Sequence, residues 1–207
     1  MTKFSKLALA AMLALTTATA VGCSDAEKPA STTAATDTKE DVVKVQKSIF
    51  AAVLIGDSLV TDSFEAKKGL GPDDAEVEYM VPKRQAKETL DILAKTYWDK
   101  EVAKKEYEAV LGDQALLDKA NAAFEAKVNA DNEKAKSEEE KIKFTPRTEV
   151  GDADKIGANV LTGAKFEDIK VEGKDGQYTL EYKGLKYTVK KDGNQYRIIA
   201  KEGTLQK

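Results

Sequence analysis

Carboxylates are the main side chains that could do chemistry here, because the 207-residue chain has no histidine and a single cysteine, Cys23. Without histidine, the chain lacks the usual general base near neutral pH and the commonest metal ligand. Catalytic Ser-His and Cys-His pairs and Cys/His zinc sites are excluded for the same reason. No GxxxxGK[ST] or GxGxxG phosphate-binding loop occurs. The sequence therefore predicts no catalytic residue, no metal and no cofactor, unless acidic side chains supply the chemistry.

Two pairs of aspartates are the remaining candidates for acid–base catalysis or calcium binding. Asp73 and Asp74 end a loop with two glycines and a proline, and Asp152 lies two residues before Asp154. A calcium-binding loop that began at Asp152 would need a bidentate glutamate where Gly163 stands. Adjacent aspartates in such a loop are typical of turns. A carboxylate-dependent enzyme stays open as an alternative.

Residues 1–22 have the features of an export signal. Two lysines precede an apolar run at residues 7–21, which is shorter than the roughly 20 residues that a membrane-spanning helix needs. A basic start, a short apolar stretch and a small-residue end are typical of a secretory signal peptide. We therefore expect a signal peptide over residues 1–22 and leave it out of the fold prediction.

The residues around Cys23 predict how the exported protein is attached to the membrane. AVGC, residues 20–23, resembles the lipobox of bacterial lipoproteins, in which the cysteine is alkylated by a diacylglycerol and becomes the N-terminus. The resemblance implies palmitate-type chains on Cys23 and an anchor on the extracytoplasmic side of the cell membrane, since two or three chains hold a protein stably. Ser24 resembles the outer-membrane sorting pattern of Gram-negative lipoproteins. Cleavage after Ala18-Thr19-Ala20, as in an ordinary secreted protein, is the alternative.

Composition divides the rest of the chain into a tether and a domain. Residues 23–38 have no aliphatic side chain larger than alanine, which predicts a lipidated, flexible tether. Residues 39–207 have the length of a single domain. The net charge is −3 and no basic run occurs, so we expect no nucleic-acid partner. The basic excess of residues 165–207 predicts a weakly basic face in the C-terminal part.

Apolar side chains recur at helical spacing in the first two thirds of the domain. This spacing predicts four helices, over residues 39–60, from Pro82 to about 97, over 100–111 and over 116–128. A loop is expected at residues 67–74, followed by an extended segment at 76–81. Residues 129–141 have no large apolar side chain, which indicates either a solvated helix end or a loop, and we favour a mobile charged loop.

The last third changes to the two-residue alternation of half-buried strands. Four such segments follow one another from residue 166 onward, separated by Lys174-Asp175-Gly176, Gly184 and Asp192-Gly193-Asn194. Weaker alternation at residues 143–150 and 156–161 could add strands. The predicted class is α+β, with N-terminal helices packed on a C-terminal antiparallel β-meander.

Residues 76–111 and 177–199 carry a family resemblance. The extended YMVP, the helices with KETLDILAKTYWDKEVA and the tyrosine-rich meander ending in DGNQYRI look like cystatin-like or nuclear-transport-factor-like envelope domains. Among these, the pattern is similar to the inhibitors of bacterial DL-endopeptidases, which are cell-wall hydrolases with a catalytic cysteine. The resemblance implies an acidic inhibitor that blocks the hydrolase cleft with an exposed loop.

The glycine- and proline-containing loop is the segment where we expect partner binding. Loops on a rigid scaffold carry function more often than they carry side-chain packing. The candidate contacts are Gly69, Leu70, Gly71, Pro72, Asp73 and Asp74. We expect a lipid-anchored, non-catalytic binding module of the cell envelope, with a cell-wall hydrolase as its partner. A small-ligand carrier that uses the concave sheet face is the alternative beside the carboxylate-dependent enzyme.

Overall fold

A long helix and a four-stranded sheet form the main layers of the fold. The computed structural model describes residues 39–206. The predicted signal peptide, Cys23 and the tether lie outside this range. In chain order the elements are α1 (Lys39–Thr61), β1 (Phe64–Leu70), β2 (Glu76–Pro82), α2 (Ala86–Thr96), α3 (Lys100–Ala109), α4 (Gln114–Glu133), β3 (Lys170–Lys174), β4 (Gln177–Tyr182), β5 (Leu185–Asp192) and β6 (Gln195–Glu202). The predicted α+β class, with helices followed by an antiparallel meander, is confirmed.

The C-terminal strands form one antiparallel sheet in the order β3-β4-β5-β6. Leu180 lies opposite Tyr187 in the β4–β5 pair, and Val189 lies opposite Ile198 in the β5–β6 pair. All four side chains are buried. Because a slip of one residue would turn this apolar set toward solvent, the alternation itself specifies the register.

Helix α1 packs on the buried face of the sheet through a close approach at Gly56. A Cβ atom there would lie 2.8 Å from Cδ1 of Ile198 and 3.2 Å from Nε1 of Trp98. Glycine inside a helix costs about 1 kcal/mol relative to alanine, yet a larger residue would push α1 off the core. The core around this contact consists of Ile49, Val53, Val60, Leu93, Trp98, Ala103, Leu161, Leu180, Tyr182, Leu185, Tyr187, Val189 and Ile198.

The connection between α2 and α3 covers the β6 edge of the sheet. The N–H of Ile198 donates to the carbonyl oxygen of Tyr97 at 2.7 Å, and the N–H of Asp99 donates to the carbonyl oxygen of Ile198 at 2.8 Å. Trp98, between them, is fully buried and donates from Nε1 to the carbonyl oxygen of Gly56 at 2.9 Å. Arg197 also donates to the carbonyl oxygen of Trp98, at 2.7 Å. Pairing at this one position protects part of an open strand edge that could recruit another chain.

A second, smaller assembly consists of the β1–β2 ribbon and helix α4. The ribbon pairs in register from Phe64 opposite Pro82 to Leu70 opposite Glu76. The backbone of α4 approaches the ribbon closely at Gly69, where an added Cβ would lie 2.8 Å from the carbonyl carbon of Ala123. The ribbon and α4 therefore support each other.

Two boundaries and two possible strands differ from the sequence expectations. Residues Lys67–Leu70 belong to β1 rather than to a loop, because they pair with β2 over their whole length. Helix α2 begins at Ala86 instead of near Pro82, because Pro82 still pairs with Phe64 at the end of β2. Residues 143–150 and 156–161 form no strand.

The first part of residues 129–141 is a helix end, which was the alternative to the mobile loop that we favoured. Helix α4 continues to Glu133. The amide of Asn132 then donates to the carbonyl oxygen of Ile142 at 2.9 Å and accepts from its N–H at 2.7 Å. Glu140 accepts from the N–H of Lys136 at 2.7 Å inside this connection. Polar side chains bonded to backbone groups thus give the segment a defined path without apolar burial.

Candidate functional site

The tip of the β1–β2 hairpin is the first candidate site. The N–H of Gly71 donates to the carbonyl oxygen of Ala75 at 2.8 Å, and the N–H of Ala75 donates to the carbonyl oxygen of Pro72 at 3.3 Å, which together close the turn. Asp73 and Asp74 have left-handed backbone conformations, with φ of 60° and 57°. Two consecutive non-glycine residues in this region are unusual, although aspartate adopts it more readily than most residues. The turn presents Pro72, Asp73 and Asp74 to solvent.

Contacts on both sides of the ribbon hold this tip in place. Lys68 and Glu76 form an ion pair of 2.7 Å across the two strands. Because both side chains are exposed, such a pair adds little stability. The ring of Tyr79 packs edge-on against Phe124 of α4, with centroids 5.7 Å apart. Together with the close approach at Gly69, this contact fixes the ribbon on a long helix.

The predicted partner-binding residues fall into two groups. Gly69 is buried against α4, and Leu70 and Gly71 are half-buried where the strand ends. The exposed group consists of Pro72, Asp73 and Asp74. The sequence identified one continuous segment, but only its second half can meet a partner without rearrangement of the ribbon.

The second aspartate pair forms a turn of its own. Asp152 accepts from the N–H of Asp154 at 3.0 Å and forms an ion pair of 3.4 Å with Lys155. Lys155 also donates to the carbonyl oxygen of Leu111 at 3.0 Å. These bonds are those of a turn-forming aspartate. Within residues 39–206, no group of three or more acidic or thiol side chains is arranged to hold a metal ion.

A buried polar cluster around Asp57 was missed by the sequence reading. The carboxylate of Asp57 accepts from the hydroxyl of Tyr187 at 2.5 Å and from the N–H of Leu161 at 2.9 Å. The ammonium of Lys201 lies 3.2 Å from Asp57 and 3.0 Å from the carboxylate of Glu106. The sequence did contain one signal, because Asp57 lies on the apolar side of α1 between Val53 and Val60. Its partners come from distant segments, which local spacing cannot predict.

Burial governs the electrostatics of this cluster. It raises the pKa of the Asp57 carboxyl above the ordinary 3.8, against the opposing charge of Lys201 and the hydrogen bonds from Tyr187 and Leu161. Burial and the neighbouring Asp57 carboxylate together raise the pKa of the Tyr187 hydroxyl, which stays a donor. Lys201 is additionally stacked over the rings of Trp98 and Tyr187, with its Nζ 5.8 Å and 5.4 Å from their centroids. The cluster is a closed network rather than a free acid or base.

A cavity of about 320 Å³ opens beside this network. Glu106 and Lys201 contribute its polar wall, and Val60, Val110 and Val160 contribute apolar wall. Its volume is at the lower end of the range for small-ligand pockets. Helix α1 covers most of the sheet face that a carrier was expected to use, and a pocket of about 290 Å³ remains between its first turns and Val171, Tyr178 and Tyr196. The lateral cavity combines apolar walls with a buried ion pair, so it is our candidate for a small molecule.

The described helices indicate no membrane span, and the comparisons with known proteins assign the chain to no family. Within the described part of the chain, no helix has both the length and the apolar character that a membrane span requires. Comparison of the chain with protein-family models, curated proteins and solved structures found no match. The resemblances to bacterial lipoproteins and to DL-endopeptidase inhibitors therefore stay predictions.

Proposed function

We propose that the protein is a lipid-anchored, non-catalytic binding module of the cell envelope, whose β1–β2 hairpin tip enters the cleft of a partner. The partner that we propose is a cell-wall hydrolase of the DL-endopeptidase type. The observation that carries the proposal is the conformation of the tip, where two exposed aspartates hold consecutive left-handed backbone angles. Cys23 is the proposed attachment point to the membrane.

The conformation of the tip favours binding because little of it has to be ordered when a partner arrives. Left-handed angles cost an L-residue roughly 1–2 kcal/mol. Asp73 and Asp74 keep them within a turn closed by the Gly71–Ala75 hydrogen bond. A loop that is already rigid loses less conformational entropy on association, which strengthens binding. A narrow two-stranded tip also has the shape of a segment that enters a cleft made for an extended peptide.

The buried ionisable groups favour binding over catalysis. Asp57, the buried carboxylate, has donors on both of its oxygens. Lys201, its cationic partner, lies between two carboxylates and two aromatic rings. A general base needs a free lone pair that can reach a substrate proton. These contacts are those of a structural network.

Removal of the two charges at the tip tests the proposal. In Asp73→Asn plus Asp74→Asn, asparagine keeps access to left-handed angles, so the turn should persist while its charge is lost. We expect the dissociation constant of a purified DL-endopeptidase catalytic domain, measured by calorimetry, to rise about tenfold, or roughly 1.4 kcal/mol.

The β3–β4 turn supplies a matched control for this experiment. Asp175 is also an exposed turn aspartate with positive φ, here 55°, and Glu172 is exposed on the adjoining strand. Asp175→Asn plus Glu172→Gln therefore removes the same charge from a different hairpin and should leave the dissociation constant unchanged. Equal effects of the two double variants would show that net charge rather than the tip determines binding. Absence of binding by the unmodified protein would remove the proposed partner.

The lateral cavity supports a second candidate function, a small-ligand carrier. The cavity is lined by apolar side chains and by a few charged ones, which is the composition of many ligand sites. Native mass spectrometry of the protein isolated from an envelope fraction would detect a retained ligand. An added mass that disappears in Val110→Trp, which fills the cavity, would favour the carrier, and an unliganded mass would favour the binding module.

A further inference from the structure

We propose that two adjoining clefts between α4, the 143–149 segment and the start of α2 form a binding site for a linear polyanion with closely spaced phosphate groups. Long-chain polyphosphate has this chemistry. The site is separate from the hairpin tip and does not depend on the proposed hydrolase partner.

The larger cleft, of about 740 Å³, has a strong excess of positive charge. Its charged lining consists of Lys83, Arg84, Lys87, Arg147 and a single carboxylate, Glu149. Glu149 accepts a hydrogen bond of 2.9 Å from the hydroxyl of Tyr107, so part of its capacity to accept is already used. Arg84 pairs with Glu88 at 3.1 Å. Within residues 39–206, the side chains of Lys83, Lys87 and Arg147 form no ion pair and no hydrogen bond.

The smaller cleft, of about 250 Å³, continues this surface. Arg147 belongs to both clefts, and Lys68, Lys127 and Lys143 line the smaller one together with one carboxylate, Asp131. Lys127 pairs with Asp131 at 3.3 Å. Lys143 has no such partner among the described residues. Seven cations and two carboxylates therefore line the two clefts, in a protein whose net charge is −3. Lys68, Arg84 and Lys127 are each paired with a carboxylate, so four of the seven cations have no ion pair among residues 39–206.

Two asparagines on α4 position the segment that carries Lys143 and Arg147. Asn121 donates from its amide to the carbonyl oxygen of Arg147 at 3.0 Å and accepts from the N–H of Arg147 at 2.7 Å. Asn132 makes the same pair of bonds with Ile142. Residues three helical turns apart lie on one face of a helix. Residues 142–147 are thus fastened to α4 at both ends, which holds the two cations in place.

The shape and composition of the clefts favour a phosphate-bearing chain. Guanidinium and ammonium groups bind phosphate through short, charge-assisted hydrogen bonds. Charges distributed along two connected clefts match a ligand with repeated charges better than a single anion. A flat membrane surface would meet the rims of a concave site rather than its lining. Two half-buried rings, Phe124 and Phe144, line the smaller cleft, and Phe124 is already packed against Tyr79. Single-stranded nucleic acids usually stack successive bases on several aromatic side chains, and the larger cleft has none in its lining.

The experiment uses the full chain with Cys23→Ala, which cannot be lipidated, and fluorescently labelled long-chain polyphosphate. We expect binding by fluorescence anisotropy at low salt, with an affinity that falls steeply as salt rises, because bound phosphates release counterions. Inorganic phosphate should compete only weakly. Arg147→Gln plus Lys87→Gln should weaken polyphosphate binding about tenfold, because two unpaired cations are lost.

The control for this variant is Lys190→Gln plus Lys191→Gln, which removes two exposed cations of β5 that line neither cleft. Its affinity for polyphosphate should stay within twofold of the unmodified chain. The proposal is overturned by absence of polyphosphate binding at low salt, or by equal losses in the two variants. It is also overturned if phosphatidylglycerol vesicles bind in an Arg147-dependent manner while polyphosphate does not, which would indicate a membrane surface. Tighter binding of oligothymidylate than of polyphosphate of equal charge would indicate a nucleic-acid site instead.

Discussion

Asp57 is a buried carboxylate on α1, and its stability in the fold depends on its hydrogen-bond and ionic partners. It is 1% exposed on a helix face that otherwise consists of apolar side chains. Tyr187, Leu161 and Lys201 each contribute one donor, so every oxygen of the carboxylate has a partner. Loss of one member of such a buried pair is costly because the other charge is left without compensation.

We predict from this geometry that Lys201→Met destabilises the protein strongly, by about 3–5 kcal/mol. Methionine has a similar volume but leaves Asp57 buried without its cation. The free energy of unfolding in urea would measure the loss. Adding Asp57→Asn to Lys201→Met should recover part of the loss, since no buried charge then remains at Asp57. A double variant that is less stable than Lys201→Met alone would contradict this account of the pair.

The titration of Asp57 gives a prediction with a defined sign. Burial raises the pKa of this carboxyl in the folded state above 3.8, so the folded protein binds its proton before the unfolded chain does. Stability contributed by this group is then fully present below the unfolded pKa and is lost as pH rises through the folded pKa. The unfolding free energy of the natural chain should therefore increase relative to Asp57→Asn as pH falls from 7 toward 4. A relative decrease would mean that Lys201 outweighs burial and lowers the pKa.

At the scale of elements, the hairpin depends on the close approach of β1 to α4. Gly69→Ala would place a Cβ 2.8 Å from the backbone carbon of Ala123, and we predict a loss of about 1–3 kcal/mol from the resulting overpacking. Thermal unfolding would detect it. Ala123→Gly in the same chain should not restore full stability, because the backbone atoms of residue 123 stay in place. Complete restoration would show that only the Ala123 side chain was in contact.

The elements also show which parts of the fold the sequence could predict. Strands β3 to β6 were predicted because the alternation of Tyr178, Leu180 and Tyr182 and the turn at Asp175-Gly176 are local signals. Strand β1 was missed because FEAKKGL has few apolar side chains, and its conformation comes from pairing with β2 and from contact with α4. The path of residues 134–142 depends on hydrogen bonds from Asn132, which leave no periodic pattern.

The candidate sites also differ in how far the sequence could predict them. The exposed tip was predictable from the adjacent Pro72, Asp73 and Asp74. The Asp57 cluster unites α1, α3, β5 and β6, and only the position of Asp57 on the apolar face of α1 indicated it. The basic clefts join residues 83–87 with 143–147, which a composition count along the chain cannot detect. That count placed the positive excess in residues 165–207, whereas the residues that line the two basic clefts lie in the preceding part.

At the scale of the whole molecule, the two proposed surfaces would serve the proposed lipid-anchored protein in complementary ways. The acidic tip is suited to a partner cleft, and the basic clefts are suited to a polyanion, so the two surfaces would select ligands of different charge. A protein held near a membrane at Cys23 would meet both kinds of ligand in the envelope. A lipid anchor also raises the local concentration of the domain around an envelope partner.

The central claim is that the hairpin tip occupies the catalytic cleft of a cell-wall hydrolase, and the reactivity of the hydrolase cysteine tests it directly. The rate of alkylation of that cysteine by iodoacetamide would be measured with and without saturating amounts of the Cys23→Ala chain. We expect the chain to slow alkylation at least tenfold. Asp73→Asn plus Asp74→Asn, at equal concentration, should protect less than Asp175→Asn plus Glu172→Gln. An unchanged alkylation rate on a hydrolase that is saturated with the bound chain would contradict the claim.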